Sequence, residues 1–263
     1  MWIIIPTLGR TEEQRTLEAL PPELRRRTTL VCPKREAARL AHLYPDIEIV
    51  VQPDHIRGIA QTRQWIVQTW FEAGYDKIIM LDDDLIFATR ISAGDWHLRP
   101  IQGDELIPEF ERIAEKLGPD FPHVGFGQRQ NNNRVEEAGW QSPGRMLYAL
   151  GYYLPIVAKE CKFDLIALRE DYCVALQLLL KGYPNAVWTK TVADQETNAP
   201  GGCSTYRTPE MNHAEAEKLA QLFPGYAPLV SKEYKNGSRR KEPMCQWKKA
   251  LLDGLRKRRL IVR

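Results

Sequence analysis

Long apolar runs are missing from this 263-residue sequence. No stretch approaches the roughly 20 apolar residues that a membrane-spanning helix needs, so the sequence offers no such span. The first residues, Met1-Trp2-Ile3-Ile4-Ile5-Pro6, carry no basic leader and stop at a proline, and they read as a first strand instead of a signal peptide. Cysteine is scarce and poorly spaced for cross-linking. Cys32, Cys161, Cys173, Cys203 and Cys245 are odd in number and none forms a Cys-x-x-Cys pair, which argues against a disulfide framework and a zinc knuckle alike. Reduced thiols point to a cytoplasmic protein. The sequence also lacks internal repeats and low-complexity tracts. What remains is an ordinary globular composition, 43% hydrophobic and 27% charged, long enough for one large α/β domain or one domain with an appendage.

Charge is unevenly distributed. From Ser231 onward there are twelve Lys and Arg against three Asp and Glu, whereas the first 230 residues carry 25 basic and 31 acidic side chains. A mildly acidic body with a basic tail suggests a polyanion such as nucleic acid near the C-terminus; a solvated helix or an unstructured tail is the plainer alternative.

Hydrophobic periodicity in the first hundred residues switches between strand and helix. Apolar runs at Trp2–Ile5, Thr28–Cys32, Ile47–Val51 and Ile78–Leu81 predict strands, and continuous runs of this kind suit a parallel sheet buried on both faces. Between them, Glu12–Leu20, Lys34–Leu43 and Gly58–Phe71 show helical spacing, with Gly74 suited to a C-cap. Such alternation predicts right-handed βαβ units and a Rossmann-like α/β sandwich. Further on, Glu105–Leu117, Arg169–Lys181 and Pro209–Leu222 read as helices, and Val124–Gln128, Tyr148–Val157 and Ala186–Thr189 as strands.

The strongest chemical signal is Asp82-Asp83-Asp84, directly after an apolar strand. In open α/β sheets, ligands bind at the carboxyl ends of the strands, where this triplet falls. Adjacent carboxylates repel one another unless a cation intervenes, and Mg²⁺ or Mn²⁺ commonly bridges one or two of them to substrate phosphates. A solvated acidic turn is the alternative. A second acidic pair, Glu170-Asp171, opens a predicted helix, where it can serve the helix dipole or supply a carboxylate base.

The order "IIIPTLGR", "GIAQTRQWI", "IIMLDDDL" and "LREDYCVALQLLLKGYPNAV" resembles the inverting GT-A glycosyltransferases. Those enzymes carry a DxD-type motif after a central strand and a Glu-Asp pair opening a later helix. The segments "NAPGGCSTYRT", "KLAQLFPGYAPLV" and "RRKEPMCQWKKAL" narrow the likeness to the TET-associated glycosyltransferases of bacteriophages, which modify 5-hydroxymethylpyrimidines in DNA. The resemblance implies a GT-A catalytic domain over residues 1–230 and a basic extension over 231–263. It also implies a nucleotide-sugar donor, UDP-linked, a divalent metal, a DNA acceptor and, for a phage protein, the host cytoplasm. Carried over by position, Asp171 is the base and Glu170 the second choice. Asp84, with Asp82, ligates the metal, and His213 is the candidate third ligand. Pro6, Thr7, Arg10, Asp82 and Asp83 hold the nucleotide, with Arg63 reaching it or standing on the surface. Gly201 and Gly202, Asn131, Lys248 and Lys249 face the acceptor, with Trp247 either stacking on a base or anchoring the last helix.

Two competing readings remain. A sugar nucleotidyltransferase also uses a Rossmann-like sheet and metal-bound carboxylates, but it begins with a glycine-rich basic loop, and "PTLGR" holds one glycine. A non-catalytic DNA-binding protein fits the tail but has little need of two acidic motifs.

Overall fold

The computed structural model describes residues 1–91, 97–129, 137–195, 201–233 and 239–261. Its strands are β1 (Trp2–Pro6), β2 (Thr28–Cys32), β3 (Glu48–Val51), β4 (Lys77–Leu81), β5 (Leu85–Arg90), β6 (Leu98–Pro100), β7 (His123–Gln128), β8 (Trp140–Gln141), β9 (Ala149–Tyr153), β10 (Asn185–Gln195), β11 (Leu229–Glu233) and β12 (Arg239–Pro243). Its helices are α1 (Arg15–Ala19), α2 (Pro22–Arg25), α3 (Lys34–Leu43), α4 (Gly58–Glu72), α5 (Ile107–Lys116), α6 (Leu154–Glu160), α7 (Glu170–Leu180), α8 (Pro209–Leu222) and α9 (Trp247–Ile261).

The main sheet runs β3-β2-β1-β4-β9-β7-β10-β5-β6, with β8 against β10. Strands β1 to β4, β6, β7 and β10 point one way, and β5, β8 and β9 the other. The expected α/β class with a mostly parallel sheet is therefore what the chain forms. β1 is hydrogen-bonded to β2 on one side and β4 on the other, so the chain leaves β1 and β4 at the point where strand order reverses. That switch point is where a doubly wound sheet opens a crevice at its carboxyl edge.

Period-2 alternation divides the core. Ile3 and Ile5 of β1 join a cluster with Leu81, Phe110 and Phe126, while Ile4 points to the other face with Ile66, Met80 and Val174. A third cluster ties Tyr172, Cys173, Leu176 and Leu179 of α7 to Leu219 and Phe223 of the α8 end and Ala250 of α9. The basic C-terminal segment thus forms the β11–β12 hairpin and α9, which packs on α7. The backbones touch there: a Cβ on Gly254 would collide with the Leu179 carbonyl oxygen and lie 2.6 Å from the Gly182 nitrogen.

The sequence reading erred in the middle. The run from Tyr148 is strand only to Tyr153; Pro155 sits at the first turn of α6, where its missing N–H is harmless. The antiparallel strand β5, immediately after the triplet, was not foreseen, nor were β6, β8 and the final hairpin.

Candidate functional site

The loops after β1 and β4 meet at the switch point. Thr7 Oγ1 donates to Asp83 Oδ2 at 2.6 Å, and Gln14 Nε2 donates to Thr7 Oγ1 at 2.8 Å. Arg10 lays its guanidinium across the triplet, pairing with Asp83 and, at 3.0 Å, with Asp84. Asp83 and Asp84 are buried, 3% and 6% exposed, so water does not screen their charge.

Arg63 joins the two acidic motifs. It projects from the buried face of α4, along with Ala60, Ile66, Val67 and Trp70, and is only 4% exposed. Its Nη2 donates to Asp82 Oδ1 at 2.6 Å and its Nη1 to Glu170 Oε1 at 2.7 Å. The surface alternative for this residue is therefore corrected: an uncompensated guanidinium would not be stable at that depth, and two carboxylates compensate it. Repulsion within the triplet, for which a dication was the expected remedy, is offset by Arg10 and Arg63 from the protein itself.

Electrostatics set the two candidate carboxylates of α7 apart. Glu170 is committed to Arg63. For Asp171, burial first and then the neighbouring Glu170 push the carboxyl up to about 7, with Arg63 and Arg145 pulling the other way. Asp82 is likewise raised to about 7, by burial above all, against the pull of Arg63. Burial also raises Asp84, against the pull of Arg10. Backbone strain marks both approaches to this place. Tyr148 (φ 68°) and Arg169 (φ 67°) are the non-glycine residues in the left-handed region among the described residues. The Tyr148 carbonyl accepts from Asp82 N at 2.9 Å, and Arg169, just before Glu170, pairs with Glu242 of β12 at 2.8 Å.

These groups surround one cavity of about 320 Å³, lined by Pro6, Thr7, Arg10, Arg63, the triplet, Glu170 and Asp171. Gly201 and Gly202 also line it, but the close approach they permit is to Arg10. With φ of +95° and +56°, a Cβ on them would lie 2.5 Å from Arg10 Cγ and 3.1 Å from Arg10 Nη1. Three expected residues are not brought here. His213 stands half-exposed on α8, paired with Glu217 at 3.3 Å one turn away, and the cavity lining does not include it. Lys248 and Lys249 border a second cavity; Lys249 also pairs with Asp253 at 3.2 Å and lies over the Tyr226 ring. Asn131 lies outside the described residues. Trp247 packs edge-on against Tyr172 with centroids 5.6 Å apart, the anchoring role of the two considered. Arg145, which borders both cavities and sits 5.2 Å over the Tyr172 ring, went unnoticed, because a lone arginine in "SPGRM" carries no sequence signal.

As to a metal, no group of three His, Cys, Asp or Glu among the described residues is arranged to hold one. Asp84 Oδ1, however, is buried in the cavity wall without a hydrogen-bond partner, and carboxylate oxygen is the donor that Mg²⁺ and Mn²⁺ take. Such ions are often completed by substrate phosphates, so one or two carboxylates are a fitting donor set. No helix of the described residues is long and apolar enough to cross a membrane.

Fold and cavity together define an α/β protein of Rossmann-like type with a carboxylate- and arginine-lined crevice at its switch point. The family model of the TET-Associated Glycosyltransferase matches residues 1–202, and the chain belongs to that family. Two curated relatives named "Beta-glucosyl-HMC-alpha-glucosyl-transferase", from Enterobacteria phages T2 and T6, are each 23% identical over 202 residues, covering 68% of this chain and 66% of theirs. The chain thus spans just under two thirds of the length of these relatives. Among solved structures, GalNAc-T7 with UDP, GalNAc and Mn²⁺ is similar at a TM-score of 0.43 and 10% identity, over 83% of this chain and 48% of that one. A197 from STIV is similar at a TM-score of 0.41 and 15% identity, over 75% and 85%.

Proposed function

We propose that this chain transfers a sugar from a nucleotide-sugar donor to a hydroxyl on a hydroxymethylpyrimidine of DNA, with Asp171 as the base. The observation that carries this reading is the convergence of Asp82 and Glu170 on one arginine, which brings two acidic motifs to a single cavity. Glu170, held by Arg63, fixes the start of α7 and leaves its neighbour Asp171 to face the acceptor. A base should titrate near the working pH, and a carboxyl raised to about 7 by burial and Glu170 meets that need.

In the reaction, the acceptor oxygen forms a bond to the anomeric carbon and its proton passes to an Asp171 oxygen. The bond between that carbon and the diphosphate oxygen breaks, and the nucleoside diphosphate leaves. Pro6, Thr7 and Arg10 form the wall along which the nucleotide would lie. A divalent ion held by Asp84, with Asp82, would offset charge on the departing diphosphate. Asp83, pinned by Arg10 and Thr7, keeps the first loop against the triplet.

The name of the phage relatives adds a second acceptor reading. It specifies an acceptor that already bears a β-glucosyl group, and an α-linked product. Both hydroxymethylated and β-glucosylated DNA therefore belong in the test, and the anomeric configuration of the product decides between inversion and retention. Either DNA is incubated with a panel of nucleotide sugars and Mn²⁺ and then digested and weighed by mass spectrometry. A hexose-sized gain that disappears in Asp171→Asn is expected; no gain with any donor would sink the proposal. Asp84→Ala should lose both turnover and its response to added Mn²⁺ while keeping the parent's secondary structure by circular dichroism.

A further inference from the structure

A second cavity of about 460 Å³ lies against the first, and Arg145 and Tyr172 border both. The two differ in charge. The first is walled by carboxylates, with Arg10 and Arg63 already paired to them. The described residues that line the second include four cations, Arg90, Arg145, Lys248 and Lys249, and no Asp or Glu. Two of the four are engaged elsewhere: Arg90 Nε donates to the Thr189 carbonyl at 2.9 Å, and Lys249 pairs with Asp253 at 3.2 Å. Lys248 is exposed in the first turn of α9. Arg145 lies over the Tyr172 ring, and no carboxylate among the described residues pairs with it. Its Nε is buried without a partner, so the Nη ends are what it offers to the two cavities. A partly buried guanidinium that meets no anion within its own protein is poorly compensated, and an anion from outside would relieve it. The start of α9 adds to the field. Its opening N–H groups have no partner within the helix, and its first turn holds two lysines and no acid, the reverse of the usual complement to the dipole.

We infer that the second cavity holds a backbone phosphate of the acceptor strand, with the Nη groups of Arg145 as its clamp and Lys248 at the rim. The inference rests on the transfer reading above for the identity of the acceptor, but it can be tested without turnover. A guanidinium meets phosphate oxygens in a two-bond fork, so it fixes heading as well as supplying charge. Arg145 and Tyr172 form the wall that the two cavities share. A strand held by that phosphate therefore runs past them, and the adjoining hydroxymethylated base comes to the first cavity beside Asp171. Arg145 is near enough to Asp171 to oppose the rise that burial and Glu170 give that carboxyl. Phosphate contacts set register and carry no sequence information, so the clamp serves a modified base whatever its neighbours.

The probe is a short DNA duplex bearing one 5-hydroxymethylcytosine, followed by fluorescence anisotropy over a salt series with the full chain. Arg145→Gln should weaken binding about tenfold, the scale of a hydrogen bond between charged groups, and flatten the dependence of log affinity on log salt by about 0.9. Arg145→Lys keeps the charge without the fork, so it should keep the parent's slope while losing affinity. A second arm leaves the protein untouched. Phosphates flanking the modified nucleotide are replaced one at a time by neutral methylphosphonate. One replacement should cost the parent about tenfold and Arg145→Gln almost nothing further, a coupling that a merely structural arginine would not give. UDP with Mn²⁺, titrated by calorimetry, should bind parent and Arg145→Gln alike. A parent that does not bind the duplex overturns the site, and so do additive costs at every replaced phosphate. A UDP affinity that falls with Arg145→Gln while DNA affinity stands also overturns it, since the cation then belongs to the donor's diphosphate. Coupling at one phosphate with no sugar transferred to any DNA overturns the transfer reading and leaves the phosphate site standing.

Discussion

At Glu170 and Asp171, two adjacent carboxylates experience different surroundings, and the difference is testable one residue at a time. Asp171→Asn removes the proton acceptor while keeping shape. It should lower kcat by about 100-fold or more with nucleotide-sugar affinity nearly unchanged, in line with the usual worth of a positioned base. Since the base acts when ionised, turnover of the parent should fall as pH drops through about 7, and the residual rate of Asp171→Asn should lack that limb. Stability carries the opposite signature. The folded-state carboxyl of Asp171 is raised above its ordinary 3.8, so its contribution is fully present below about that pH and is lost as pH rises through about 7. The melting temperature of Asp171→Asn relative to the parent should therefore climb between those values and level off above them. Arg63 tests the other half of the pair. Arg63→Ala leaves Asp82 and Glu170 facing each other without a cation, and breaking a buried pair of this kind costs about 3–5 kcal/mol. Denaturant titration reads that loss directly.

Elements explain why some of this could be read from the chain and some could not. β1, β2 and β4 are continuous apolar runs buried on both faces, so their identity, their parallel pairing and the position of the triplet at a carboxyl end followed from local pattern alone. The Glu-Asp pair opening α7 was legible for the same reason. Arg63 was not, because its burial depends on two partners that lie 19 and 107 positions further along the chain. Arg145 was equally silent: nothing near it in the sequence distinguishes a cavity-wall guanidinium from a surface one. The Gly201-Gly202 loop was expected to face the acceptor, yet its constraint comes from Arg10, a contact no short-range pattern encodes. That gives an element-scale prediction. Gly201→Ala must push Arg10 off the triplet, so nucleotide-sugar binding should weaken several-fold or more, whereas Gly225→Ala, with nothing within 4 Å and a similar φ of +77°, should disturb only its own turn. Calorimetry with UDP and Mn²⁺ on both variants makes the comparison.

On the scale of the whole molecule, the acidic body and basic tail form one packed object. Ala250 of α9 and Phe223 beyond α8 share a core with Tyr172 and Leu176 of α7, so cutting the chain at residue 230 would strip the far side of the helix that carries Asp171. Such a truncation should aggregate or melt early instead of leaving an active body. Neutralising charge is the cleaner test of DNA contact. Changing Lys248, Arg256 and Lys257 to Gln, all exposed on α9, should flatten the dependence of log affinity on log salt by about 0.9 for each phosphate contact removed. An unchanged slope would assign those side chains to solvent.

Gly254 gives that last helix a further property. Because its backbone rests directly on the end of α7, α9 lies nearer that helix than any side chain at position 254 would allow, and its row of cations is carried on an element packed against the one that bears Asp171. A duplex gripped by those cations would be presented to the crevice at a set depth and heading. Any larger residue at position 254 should prise α9 from α7, lowering the melting temperature and moving the cations away from the crevice.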